Sequence, residues 1–100
     1  MMKVFETNVD LQNALFEARK QGKSVGLVPT MGALHEGHAS LIRRSVKEND
    51  VTVVSIFLNP TQFNDANDLA RYPRTPKSDY ALCEDCGADF VFAPTVSDIY

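Results

Sequence analysis

The sequence predicts an α/β protein built around a parallel β-sheet. Short apolar runs rich in β-branched residues alternate with stretches whose apolar residues recur at helical spacing, and Gly or Pro separates most of them. Such alternation is typical of βαβ units with flanking helices. The chain has 100 residues, 44% of them hydrophobic and 23% charged, which is the composition of one ordinary globular domain.

The first half of the chain predicts two strands and the helix between them. Residues 3–6 form a short strand, and Thr7 is a candidate N-cap with Asp10 three residues further on. Apolar residues at helical spacing follow, and Gly22 is a natural stop. Residues 25–28 form a second apolar strand, which we expect Pro29 to end.

The second half repeats the pattern. A helix after His35 is expected to bury Leu41, Ile42 and Val46 and to end near Asn49. Residues 51–58 are β-branched and nearly all apolar, which predicts a strand buried on both faces. A long loop covers residues 59–74.

A last helix and strand complete the predicted order of elements. Thr75 is a candidate N-cap and Pro76 suits the first turn of a helix that runs to Cys86 and stops at Gly87. Residues 89–93 then form a strand, closed by Pro94. The chain therefore contains at least two βαβ units.

Charge and hydropathy exclude several classes of protein. The net charge of −3 provides no broad basic field, so nucleic acid is not an expected partner. No apolar run approaches the roughly 20 residues that span a bilayer, and no secretory signal is recognisable, so we expect no membrane partner and a cytoplasmic location. The basic residues Arg43, Arg44 and Lys47 are expected to solvate a helix surface.

Cys83 and Cys86 form a CxxC motif near the predicted C-terminus of a helix. A redox motif would favour a helix N-terminus, where the dipole lowers a thiol pKa. A zinc site would need two more ligands at suitable spacing, and the sequence offers none. We therefore expect two structural cysteines and no metal site.

The stretch 28–41 carries the strongest functional signal. It joins an apolar run to a helical pattern through a turn that contains Gly32, and His35 and His38 lie where the helix should begin. A single histidine there is more often a cap, but two are harder to explain by structure. Because a helix N-terminus has unpaired N–H groups and a positive dipole end, it suits a polyphosphate. We expect a nucleotide site with both imidazoles on the phosphates.

The long loop 59–74 is the second candidate segment. Ligands of parallel α/β sheets bind beyond the carboxyl ends of the strands, where both this loop and the 28–38 segment begin. The amide of Gln62 can donate and accept, which suits a hydroxy acid or a carboxylate, and Asn59 could act similarly. Tyr72 could pack against or clamp the loop.

Several blocks of the sequence closely resemble the pantothenate synthetase (pantoate–β-alanine ligase) family. They are PTMGALHEGH at 29–38, VVSIFLNPTQF at 53–63, DLARYPRT at 68–75, and FVFAP at 90–94 with Ile99-Tyr100. A bare HxGH would indicate only the wider nucleotidylyltransferase and class I aminoacyl-tRNA synthetase superfamily. Glu36 within the tetrad and the NPTQF block narrow the resemblance to this family.

The resemblance implies a Rossmann-like fold of the nucleotidylyltransferase type and a two-step ligation. Pantoate would react with ATP to give pantoyl adenylate, and β-alanine would then displace AMP. His38, described as a proton donor, and His35 would be catalytic, Gln62 would bind pantoate near the β-alanine position, and Asn59 and Tyr72 would belong to the substrate loop. Mg²⁺ would accompany ATP without an assigned protein ligand. The ATP-binding segment would comprise Met31, Gly32, Ala33, Leu34, His35, Glu36, Gly37 and His38.

Family members are nearly three times as long as this chain. The resemblance therefore implies that residues 1–100 are the N-terminal part of the ATP- and pantoate-binding domain, truncated and without the C-terminal domain. We expect little ligase activity from such a fragment, and the family implies a homodimer. The alternatives are another HxGH nucleotidylyltransferase, which would need no amine substrate, or a module that binds nucleotide without catalysis.

Overall fold

A computed structural model describes residues 2–57 and 75–94 of the chain. The elements in chain order are strand β1 (Lys3–Phe5), helix α1 (Asn8–Lys20), strand β2 (Val25–Thr30), helix α2 (Glu36–Glu48), strand β3 (Val51–Ile56), helix α3 (Pro76–Asp85) and strand β4 (Phe90–Phe92). None of the helices in these ranges is long and apolar enough to cross a membrane.

The four strands form one parallel sheet in the order β1-β4-β3-β2. The predicted α/β fold with a parallel sheet is therefore confirmed. Thr30 at the end of β2 pairs with Ile56 at the end of β3, and the next amide, Phe57 N, donates to Thr30 O at 3.0 Å. The carboxyl ends of these two strands consequently lie side by side.

Helices cover both faces of this sheet. On one face Val53 packs with Leu11 and Leu15 of α1. On the other face Val54 packs in a cluster with Ile42 of α2 and Cys83 of α3. Because successive side chains of a strand point to opposite faces, β3 contributes to both layers. Its predicted burial on both faces is confirmed.

The prediction that Pro29 ends β2 is wrong. The strand continues through Pro29, which pairs with Ser55, and reaches Thr30. Proline lacks an N–H and is tolerated where a strand has a neighbour on one side only. In the described sheet β2 pairs with β3 and lies at the edge, so its outward side needs no donor from Pro29.

The prediction that Leu41 is buried is also wrong, because its side chain is 57% exposed. The buried face of α2 instead carries Ala39 and Ile42, with Val46 partly buried against the same cluster. Leu41 lies about 100° around the helix from Ile42 and lines a groove beside the edge strand together with Leu27.

The two cysteines are buried free thiols near the C-terminal end of α3, as predicted. Burial raises the pKa of the Cys83 thiol to about 11, and the negative charges of Asp79 and Cys86 act in the same direction. A neutral, buried thiol is a poor nucleophile. The structure therefore supports a packing role for this pair.

The basic residues of α2 are solvent-exposed, as expected. Arg43 pairs with Glu36 at 2.7 Å and Arg44 pairs with Glu48 at 2.7 Å, and all four side chains are more than half exposed. Exposed pairs of this kind contribute little to stability.

Candidate nucleotide-binding site

The turn between β2 and α2 carries the predicted nucleotide motif. Its backbone adopts positive φ at two consecutive residues, +87° at Gly32 and +52° at Ala33. Glycine takes this conformation readily, whereas for alanine it costs about 1 kcal/mol. Thr30 holds the start of the turn, because its hydroxyl donates to Ser55 O at 3.0 Å and accepts from Gly32 N at 3.3 Å.

A buried carboxylate from a different part of the chain holds the rest of the turn. Asp79 in the first turn of α3 is 3% exposed. Its Oδ2 accepts from Ala33 N at 3.1 Å, and its Oδ1 accepts from Leu34 N at 2.9 Å and from the Thr75 hydroxyl at 3.1 Å. Thr75 does occupy the N-cap position of α3, but its side chain makes no capping bond there because its hydroxyl serves Asp79.

The two histidines form a reciprocal cap at the start of α2. His35 is the N-cap residue, and its Nδ1 accepts from Gly37 N at 3.0 Å. In return, His38 Nδ1 accepts from His35 N at 3.2 Å. The ring centroids lie 4.2 Å apart with the planes tilted by 53°. Each imidazole therefore satisfies one of the backbone N–H groups that a helix start leaves unpaired.

This cap determines which nitrogen of each ring carries the proton. A nitrogen that accepts a hydrogen bond must have its lone pair available, so the neutral imidazole carries its hydrogen on the other nitrogen. Because Nδ1 is the acceptor in both His35 and His38, the neutral form of each is the Nε2–H tautomer. The motif therefore presents two neighbouring Nε2–H donors without a net positive charge.

The surroundings of His38 favour this neutral form. Burial lowers the pKa of His38 below its ordinary value, and a positive charge on the adjacent His35 would lower it further. The carboxylate of Asp79 acts in the opposite direction but is the smallest of these influences. Protonation would also place a hydrogen on Nδ1 and break the bond from His35 N.

The backbone amides of the motif are largely engaged within the protein. Those of Gly32, Ala33, Leu34, His35 and Gly37 each donate to a side chain of Thr30, Asp79, His38 or His35. We expected such amides to receive a polyphosphate. In this structure the Nε2–H groups, rather than these five amides, are the donors that the motif presents.

The remaining predicted site residues fall into two groups. Met31 is 38% exposed just after β2, and Glu36 is exposed and paired with Arg43, so its carboxylate complements the first turn of α2. Gln62, Asn59 and Tyr72 lie outside the residues that the structure describes.

The residue that sequence reasoning missed is Asp79. A usable signal was present, because Asp79 and Cys83 lie four residues apart and share a face of α3 that is otherwise apolar. An acidic residue on the core-facing side of a helix requires hydrogen-bond partners. Here the partners lie 45 and 46 residues earlier in the chain.

Residues 3–100 match the family model described as pantoate-beta-alanine ligase. Among curated proteins, the pantothenate synthetase of Bacteroides thetaiotaomicron is 68% identical over 99 residues, which is 99% of this chain and 35% of that protein. The pantothenate synthetase of Porphyromonas gingivalis W83 is 52% identical over the same share of both chains.

Solved structures of these enzymes share the fold. A pantoate-beta-alanine ligase from Thermus thermophilus superimposes with a TM-score of 0.89 at 43% identity, over 99% of this chain and 34% of its own. The ligase from Francisella tularensis, complexed with beta-gamma ATP and β-alanine, gives 0.90 at 40% identity, over 100% of this chain and 38% of its own.

The predicted Rossmann-like fold of the nucleotidylyltransferase type is confirmed by these neighbours. The chain spans about a third of the length of the curated relatives that it matches. The family model covers nearly the whole chain, and the HxGH motif lies within the matched residues. The chain therefore belongs to the pantoate–β-alanine ligase family.

Proposed function

We propose that this chain supplies the nucleotide-binding part of an ATP-dependent ligase that condenses pantoate with β-alanine. The observation that carries the proposal is the reciprocal cap of His35 and His38, which fixes two Nε2–H donors side by side at a helix N-terminus. Residues 1–100 would be the N-terminal part of an ATP- and pantoate-binding domain, followed in the whole enzyme by a C-terminal domain. The nucleotide bound to the Francisella tularensis relative supports ATP as the co-substrate.

The proposed reaction has two steps. A carboxylate oxygen of pantoate attacks the α-phosphorus of ATP, the bond to the bridging oxygen breaks, and pyrophosphate leaves. The amine nitrogen of β-alanine then attacks the acyl carbon of the adenylate, loses a proton, and expels AMP to leave an amide. Negative charge develops on phosphate oxygens in the first step. Hydrogen-bond donors aimed at those oxygens therefore lower the barrier.

The geometry supports a specific role for each histidine. His38 and His35 would donate hydrogen bonds from Nε2 to phosphate oxygens and follow the charge as it moves to the leaving group. The lowered pKa of His38 favours donation by a neutral imidazole over release of a proton from an imidazolium. The segment from Met31 to His38 would surround the nucleotide.

The other components of the reaction belong to the same proposal. Gln62 would bind pantoate near the position of β-alanine, and Asn59 and Tyr72 would belong to the same substrate loop. The described residues contain no group of three His, Cys, Asp or Glu side chains suited to a metal. We therefore assign Mg²⁺ to the phosphate oxygens of ATP and to water. A homodimer is proposed from the family, and sedimentation equilibrium would test it.

A chimeric enzyme tests the proposed activity. This chain would replace the first third of the Bacteroides thetaiotaomicron relative, with which it shares 68% identity. We expect AMP release that requires ATP, pantoate and β-alanine together. Replacing both His35 and His38 by Ala should abolish it, whereas Ser40→Ala, an exposed change on α2, should not.

Three outcomes would contradict the proposal. Pyrophosphate release that needs no amine would indicate a nucleotidylyltransferase instead. Nucleotide binding without turnover in a folded chimera would indicate a binding module. Undiminished activity in the double histidine variant would remove the motif from the mechanism.

A further inference from the structure

We infer that Asp79 is a positioning residue, which fixes the 32–34 turn and thereby the placement of both imidazoles. This inference rests on the proposed function for its consequence, nucleotide affinity, but its structural half stands on the contacts of Asp79. The carboxylate lies beneath the turn and accepts two consecutive amides, Ala33 N and Leu34 N, one on each oxygen. No other side chain in the described part of the chain holds these two amides in this way.

The turn needs an external hold because of its backbone conformation. Ala33 has φ +52°, which an L side chain rarely adopts, and it follows Gly32 at φ +87°. Without partners for their amides these residues would relax toward ordinary conformations. A Cβ added to Gly32 would lie 3.3 Å from Asp79 Oδ2, so the carboxylate packs directly against the turn.

Asp79 is suited to this role by its burial and by its partners. It is 3% exposed, and no Lys, Arg or His among the described residues forms an ion pair with it. A buried carboxylate without a cation depends on hydrogen bonds, and here the donors are the two turn amides and the Thr75 hydroxyl. Its place in the first turn of α3 adds favourable interaction with the helix dipole.

The link from the turn to the imidazoles is short. Leu34 N donates to Asp79, and the next amide, His35 N, donates to His38 Nδ1. A rotation of the turn therefore changes the direction of the His35 amide and breaks the reciprocal cap. Asp79 thus acts on the nucleotide through the backbone, without needing to touch it.

Asp79→Asn is the principal test variant, since it keeps the size of the side chain but supplies one acceptor instead of two. Its NH₂ group must face one of the two amides, donor against donor. Asp85→Asn is the matched control, an identical change at an exposed position on α3. Thr75→Val removes only the hydroxyl bond and leaves the carboxylate for Ala33 and Leu34.

The first readout is the amide and imidazole nitrogen resonances of the ligand-free chain. We expect Asp79→Asn to shift the amides of Ala33 and Leu34 and the Nδ1 resonances of both histidines, while signals from α1 stay in place. The amides and imidazoles should keep their positions in Asp85→Asn and in Thr75→Val. Unchanged turn resonances in Asp79→Asn, or equal changes in Thr75→Val, would overturn the inference, because Asp79 would then serve only the start of α3.

The second readout is the affinity for Mg-ATP. Asp79→Asn should weaken binding by roughly tenfold or more, the effect of losing one charge-assisted hydrogen bond, while Asp85→Asn should leave it unchanged. Wild-type affinity in Asp79→Asn would overturn the positioning role. If the unaltered chain fails to bind Mg-ATP, the proposed function fails, and the resonances still decide whether Asp79 fixes the turn.

Discussion

Gly37→Ala separates the stability of α2 from the function of its N-terminus. Alanine should favour the helix by roughly 0.5–1 kcal/mol over glycine. However, a Cβ at Gly37 would lie 2.8 Å from His35 Cε1 and 3.1 Å from His35 Nδ1. The imidazole must swing away, which removes the bond from Gly37 N and costs about 1 kcal/mol of capping. We therefore expect a nearly unchanged free energy of unfolding and roughly tenfold weaker ATP binding.

A double-mutant cycle makes this prediction quantitative. In a His35→Ala background the ring is absent, so Gly37→Ala should stabilise the chain by the full propensity of roughly 0.5–1 kcal/mol. The coupling free energy between the two positions should then be about 1 kcal/mol, measured by urea unfolding of the four variants. Equal stabilisation by Gly37→Ala in both backgrounds would refute the seating of His35 on Gly37.

Three further predictions concern other parts of the molecule. Gly26→Ala should destabilise the chain by about 1–3 kcal/mol in urea unfolding, because its Cβ would overlap the Ser45 hydroxyl and lie 2.5 Å from Asn49 Nδ2; no loss would contradict this packing. Because folding lowers the pKa of His38, the unfolded chain binds its proton more readily, so stability should fall as the pH drops below the ordinary value of 6.5. A His38→Gln variant that keeps the same pH dependence would exclude this cause. Cys83, with a pKa of about 11, should react with a thiol reagent at neutral pH only after unfolding, and rapid reaction of the native chain would contradict its burial.

Local pattern predicted those features of the fold that depend on neighbours in the sequence. The alternation of Val53 and Val54 placed β3 between two layers of helices, and Thr7 caps α1 by accepting from Asp10 N at 3.2 Å, as its position indicated. In each case the determining residues lie within one strand or one helical turn. Burial periodicity and capping therefore needed no knowledge of the tertiary structure.

The errors arose where the answer depends on tertiary arrangement. Pro29 continues β2 because that strand lies at the edge of the described sheet, and edge position is not visible in the strand itself. Leu41 is exposed because α2 contacts the sheet through Ala39 and Ile42. Both apolar faces of the helix fit its sequence, and only the packing selects one.

The candidate site shows the same division. The sequence identified His35 and His38 as a pair at a helix start, which the structure confirms, but it did not reveal that each caps the other. Nor did it reveal that Asp79 holds the preceding turn from 45 residues away. Hydrogen bonds of this range depend on how α2 and α3 pack on one face of the sheet.

The most direct test of the nucleotide site is a titration of the chain with Mg-ATP that follows the imidazole nitrogens of His35 and His38. The account predicts that Nδ1 of both rings is unprotonated before ATP is added, and that both Nε2 resonances shift and saturate as ATP binds. Imidazoles that carry the proton on Nδ1, or Nε2 resonances that do not respond to ATP, would contradict it.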